Sequence, residues 1–91
     1  MTQMEKILTP CVKYKRKSDP SKDWFAAAPN HANCYDVLSF LEIYDRYDEV
    51  EGFQTTEGRF VDRHEAYQIA KNADQLINED PNEVLKSYNI K

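Results

Sequence analysis

The sequence predicts an α+β fold, a small two-layer domain with a short antiparallel sheet and two main helices. Three observations carry that expectation. Apolar and polar residues alternate with a period of two over Ile7 to Lys15. Two later segments place apolar residues at spacings of three and four, the repeat of a helix face. Between those segments, a glycine-bearing stretch joins two short apolar runs as a hairpin does. At 91 residues the chain has room for one core, so residues 1–91 are expected to form a single domain.

In order along the chain, Ile7 to Lys15 is the first strand, with Cys11, Lys13 and Lys15 alternating with Val12 and Tyr14. Lys17 to Asp23 has the composition of a loop, and Trp24 to Ala28 is a second strand closing a hairpin before Pro29. Asn30 is a plausible N-cap for a helix reaching Tyr44, whose apolar stripe is Cys34, Val37, Leu38 and Leu41. Tyr44 to Glu49 is charged and unperiodic, as a loop or a frayed helix end would be. Val50 to Val61 reads as a compact hairpin in which Gly58 supplies the positive φ. Asp62 and Glu65 have the spacing of a capping box, with Val61 stapled against Ala66. The second helix then carries the stripe Ala66, Ile69, Ala70, Ala73, Leu76 and Ile77, and Asn78 to Asn82 stops it. The partly apolar tail, Val84 to Ile90, is expected to dock on the core.

Charge narrows the partners. The net charge of -4 is uneven: residues 1–30 carry six basic and three acidic side chains, the remainder six basic and thirteen acidic. An acidic body disfavours binding along an extended nucleic acid, which needs many phosphate contacts. The cluster Lys13 to Lys17 is read as a solvated strand edge that discourages edge pairing. No apolar run approaches membrane-spanning length and no secretory signal is evident, so a cytoplasmic protein without membrane partners is expected. With two cysteines and no zinc-ligand spacing, the chain is expected to use neither disulfides nor a metal or other cofactor. Oligomerisation is then the expected route to further burial.

No catalytic constellation stands out, and the chain is expected not to be an enzyme. Cys34 and His31 could share a helix face, but a core thiol and a first-turn polar residue explain them without chemistry. Binding is better supplied. Arg59, Phe60 and Arg63 flank a helix N-terminus, where free N–H groups and the helix dipole favour an anion. Arginine adds bidentate phosphate recognition and an aromatic face can stack on a base. The plainer alternatives are a core Phe60 and solvated arginines. For a protein partner, the alternative face is Tyr35, Tyr44 and Tyr47 with Asp45, Asp48, Glu49 and Glu51.

The block Gly52-Phe53-Gln54-Thr55-Thr56-Glu57-Gly58-Arg59-Phe60-Val61-Asp62-Arg63-His64-Glu65-Ala66, followed by Ile69-Ala70, resembles a widespread group of small bacteriophage proteins. In that group a His-containing segment opens the preceding helix, and Asn30-His31-Ala32-Asn33-Cys34 stands at this place. The group resembles the phage Thoeris anti-defence sponges, which sequester cyclic ADP-ribose-type signals and, in some cases, cyclic oligonucleotides. The resemblance implies a phage protein in the host cytoplasm that holds a small anionic nucleotide without cleaving it, as a homo-oligomer. The positions it carries over are His31, Phe53, Thr55, Arg59, Phe60, Asp62 and Arg63. The sequence departs from the group at Asn30, where a basic residue is common, and at Asp74, where the group tends to have glycine.

Overall fold

A computed structural model describes residues 4–86 and 89–90. Its elements are β1 (Ile7–Arg16), β2 (Asp19–Ala27), α1 (His31–Phe40), β3 (Arg46–Thr55), β4 (Phe60–Asp62) and α2 (Arg63–Asn72). All neighbours in the sheet pair antiparallel, in the order β2-β1-β3-β4. The chain therefore runs through two ββα units, each contributing one central and one edge strand. Both helices pack on one face, which gives the two expected layers. Val12, Tyr14, Ala26, Cys34, Leu38 and Ile43 form the core under α1. Ile7, Phe53, Val61, Ala66, Tyr67, Ala70 and Leu85 form the core under α2.

The first hairpin differs from expectation in its turn. Only Lys17 and Ser18 lie between the strands, and β2 begins at Asp19. Pairing nevertheless jumps from Arg16↔Asp19 to Tyr14↔Trp24, so Pro20 to Asp23 bulge from the ladder opposite Lys15. The loop composition acts as a bulge in an edge strand, where proline costs no ladder bond. Lys13 and Lys15 belong to a central strand, so the basic cluster is not the solvated edge expected of it.

The first helix is shorter than the Asn30–Tyr44 span. Asn30 does cap it, its side chain accepting from the Asn33 amide at 2.8 Å. The helix ends in a Schellman motif: the Glu42 N–H donates to the Ser39 carbonyl and the Ile43 N–H to that of Leu38, each at 3.0 Å. That motif needs a left-handed residue, and Glu42 adopts φ +58°. Leu38 and Ile43, its characteristic hydrophobic pair, lie in one core cluster. The second helix ends the same way, with Asp74 at φ +57° and the Gln75 N–H donating to the Ala70 carbonyl at 2.8 Å. Leu76 and Ile77 thus fall outside α2. Leu76 instead bridges Ile90, and Leu85 is fully buried, so the described part of the tail docks; Ser87 and Tyr88 lie outside the described residues.

The stretch expected to be a loop or frayed helix end, Tyr44 to Glu49, contains the start of β3 from Arg46. Between Tyr47 and Val50 the strand holds an extra residue relative to Lys15 and Lys13 opposite, and Asp48 takes φ +53° there. This bulge hides the period of two. The second hairpin forms as expected, with Gly58 at φ +80° and the Gly58 N–H donating to the Thr55 carbonyl at 2.9 Å. Asp62 caps α2, accepting from the Glu65 amide at 2.8 Å. Val61 and Ala66 share a core cluster, in keeping with the staple.

Glutamate and aspartate hold a left-handed conformation here that costs a residue with a Cβ about 1–2 kcal/mol. Glu42→Gly and Asp74→Gly are each expected to stabilise the fold by roughly 0.5–1 kcal/mol, after the larger chain entropy of glycine is subtracted. Urea unfolding of both variants reads this directly, and a lowered midpoint in both would contradict it.

Candidate functional site

The seven residues singled out by the sequence separate into distinct surroundings. Phe53 is fully buried in the core beneath α2, and its ring meets His31 edge-on at 5.2 Å. Asp62 is the exposed N-cap already described, so one helical amide is satisfied within the chain. Thr55 is buried, and its hydroxyl donates to Glu5 Oε2 at 2.6 Å.

Arg59 grips the same carboxylate. Its Nε donates to Glu5 Oε2 at 2.7 Å and its Nη2 to Oε1 at 2.8 Å, while Nη1 donates to Glu65 Oε1 at 2.7 Å. Bonds from Arg59 and then Thr55 hold the Glu5 carboxyl down at about 2. The Arg59 guanidinium is raised in turn by Glu5 and Glu65. Glu65 is drawn to Arg59, so only the Asp62 half of the capping box is present.

Arg63 faces the other way, at the first residue of α2. Its Nη1 donates to the Leu85 carbonyl at 2.8 Å, and its Nη2 reaches His31 Nδ1 at 3.3 Å and pairs with Glu51. The Tyr35 hydroxyl donates to the second Glu51 oxygen at 3.0 Å. His31 Nε2 lies 2.7 Å from the Gly52 carbonyl oxygen. A ring protonated at Nε2 donates there and leaves Nδ1 free to accept from Arg63. His31 is therefore the first-turn polar residue expected, and it is also a buried member of a network. Arg63 lowers the Glu51 carboxyl. Burial, followed by the bond to Glu51, pushes Tyr35 up to about 12.

The expected convergence of Arg59 and Arg63 on one phosphate pocket is not formed: each guanidinium is occupied by the chain's own carboxylates, and they share no partner. The same holds for the other two arginines, with Arg16 on Asp45 and Arg46 on Glu49. An acidic body supplies a resident anion wherever a guanidinium lies.

Phe60 is in neither helix-side core. It stands half-buried on the bare face of the sheet, its centroid 5.9 Å from that of Phe25, with Lys13 Nζ 5.3 Å from its centroid. Gly52 makes this possible, since a Cβ there would collide with the Phe60 ring and the Val61 carbonyl oxygen. On the same face, burial pushes the Cys11 thiol up to about 11; Cys34 is raised by burial too. Among the described residues no group of His, Cys, Asp or Glu is placed to hold a metal ion. No helix among them is long and apolar enough to cross a membrane.

The sequence missed one surface. Phe40 is 86% exposed, Tyr44 71%, Leu41 57% and Val37 38%. Val37 and Leu41 were expected in the core stripe, yet only Cys34 and Leu38 of that stripe are buried. The Tyr44 hydroxyl donates to the Ser39 carbonyl at 3.4 Å, which lays its ring against the helix end. The spacing of 37, 40, 41 and 44 was itself the available signal. Val37, Phe40 and Leu41 are a second apolar stripe on a helix with one sheet to cover it, and Tyr44 follows just beyond the helix end. Much of the alternative tyrosine and acidic face is used internally: Tyr35 and Glu51 in the network, Asp45 on Arg16 and Ser18, Glu49 on Arg46.

Two predictions follow from this geometry. Glu5 has a folded-state pKa below its ordinary 4.5, so its contribution is complete above pH 4.5 and is lost as pH falls towards 2. Asp45, held at about 2 chiefly by Ser18 and then by Arg16, behaves alike. Glu5→Gln and Asp45→Asn are each expected to flatten the fall of the urea midpoint between pH 4.5 and 2; unchanged slopes would contradict the assignment. Separately, Arg63→Ala leaves Glu51 Oε1, His31 Nδ1 and the Leu85 carbonyl without this donor, a loss of about 1–3 kcal/mol in urea unfolding. Arg63→Lys is expected to recover little of it, since an ammonium cannot span those acceptors as the planar fork does.

The chain matches the family described as Phage T4 y16D protein over residues 6–90. Searches of curated proteins and of solved structures returned no match. The expected phage origin therefore holds, while the likeness to sponges rests on the residue block alone. The match spans nearly the whole chain, which belongs to the phage T4 y16D protein family.

Proposed function

We propose that this phage protein works by binding without catalysis, and that its target is a protein of the host reached through the end of α1. The observation that carries this reading is Phe40, 86% exposed amid Val37, Leu41 and Tyr44. A large aromatic left in water beside three further apolar residues marks a contact surface. Its rim is acidic: Asp36 and Glu42 are exposed and have no ion pair among the described residues. A partner with a basic rim around an apolar pocket suits that surface in charge and in character. Phage membership makes a host protein the natural target.

The second reading is sequestration of a cyclic nucleotide or cyclic ADP-ribose-type signal, which the residue block favours. It would need Arg59 or Arg63 to exchange an internal carboxylate for phosphate, so part of the binding energy would go into breaking the chain's own ion pairs.

Phe40→Asp separates these readings, because an exposed position tolerates the change within about 0.5 kcal/mol of stability. A photo-crosslinking amino acid at position 41 is expected to trap one dominant host protein in infected cells, and Phe40→Asp to abolish that adduct. Adduct formation that survives Phe40→Asp would overturn the surface. A crosslink to a second copy of the chain, with a dimer in light scattering lost on Phe40→Asp, would replace the host partner by self-association. Calorimetric binding of a cyclic nucleotide that Phe40→Asp leaves intact and Arg59→Ala with Arg63→Ala removes would favour the sponge.

A further inference from the structure

We infer that the bare face of the sheet carries a separate binding site for a single six-membered aromatic ring bearing a carboxylate. Helices cover only one face of the sheet, and the other is not uniformly polar. Phe25 on one edge strand and Phe60 on the other lean together across the two central strands. They can meet because the residues between them are small, Cys11 on β1 pairing with Gly52 on β3. The result is a shallow pocket of about 90 Å³ lined by Cys11, Phe25, Gln54, Gly58 and Phe60.

Its size and charge select the ligand. A cavity of about 150 Å³ encloses benzene completely, so this smaller, open pocket takes one ring laid against its aromatic walls and would leave a bicyclic base overhanging. Phe25 remains 54% exposed, so apolar surface is available to be covered. Lys13 stands over the Phe60 ring and has no carboxylate partner among the described residues, whereas its neighbour Lys15 pairs with Asp23 at 3.3 Å. An unneutralised ammonium beside an aromatic wall favours an anionic substituent on the ring. The Gln54 side chain, which makes no hydrogen bond among the described residues, supplies a polar group at the rim. Every arginine is already neutralised within the chain, whereas Lys13 has no carboxylate partner among the described residues and stands beside the pocket wall.

The test is an amide NMR titration of the full chain with sodium benzoate at fixed ionic strength, with benzyl alcohol as the neutral probe of similar shape. Benzoate is expected to shift the Cys11, Gln54 and Gly58 amides saturably, with a dissociation constant on the order of 1 mM, as befits so small a ligand. Benzyl alcohol is expected to bind the same amides about fivefold more weakly, and Lys13→Gln to bring benzoate down to that level. Phe25→Ala, at a half-exposed position, is expected to abolish both. Shifts that stay linear in benzoate, shifts that map elsewhere, or equal binding of the two probes to the unsubstituted chain would overturn the site. Should Phe25→Ala fail to fold, the comparison of the probes on Lys13→Gln decides alone.

Discussion

Arg63 is the point at which separate parts of the chain are tied together. Its guanidinium holds the tail through the Leu85 carbonyl, β3 through Glu51 and α1 through His31, while its own backbone begins α2. The Leu85 N–H also donates to the Arg63 carbonyl at 2.9 Å, so tail and helix start are joined twice. His31 extends the chain of contacts to the Gly52 carbonyl. Gly52 in turn, by lacking a Cβ, lets Phe60 lie across the opposite face. A polar network on the helix side and an aromatic pair on the bare side therefore meet at one glycine. In a chain this small, with a thin stability margin, such shared residues replace the larger core it cannot build.

The electrostatics have the same economy. Excess acid in the second part of the chain means that guanidiniums find carboxylates close by, and Arg59 on Glu5 has the bidentate geometry arginine favours. These pairs hold sequence-distant elements, Glu5 to Arg59 and Arg16 to Asp45 among them. They also dispose of the charge that anion capture at the start of α2 would use. An arginine beside a helix N-terminus is a phosphate site only while its charge is unspent.

Much of the fold was legible in the sequence because local rules and tertiary packing agree there. The Asn30 and Asp62 caps, the Gly58 turn, the β1 alternation and the Val61 staple all appear as read. The misreadings share a cause. Glu42, Asp48 and Asp74 adopt left-handed backbone without being glycine, so the helix ends and the β3 bulge gave no compositional sign. Pro20 and its neighbours read as loop because a bulge in an edge strand has loop chemistry. The site was less legible, since residue types specify what a group can bind but not whether a distant carboxylate, such as Glu5 or Glu51, has reached it first.

The shifted titrations bear on catalysis. Glu5 and Asp45 are held down at about 2, Glu51 is lowered, Cys11 is pushed up to about 11 and Tyr35 to about 12. Each of these shifts moves the group away from neutrality, whereas general acid–base work calls for values drawn towards the working pH. The pattern is that of carboxylates stabilised as anions in structural pairs and of thiols and phenols kept neutral by burial. What the fold leaves unspent lies elsewhere: apolar surface at the end of α1 with an acidic rim, and an aromatic floor under Lys13 on the opposite layer. Both are features that gain free energy by being covered, and neither needs a bond to be broken. That distribution of spent and unspent groups is the physical ground on which we propose that the molecule holds its target.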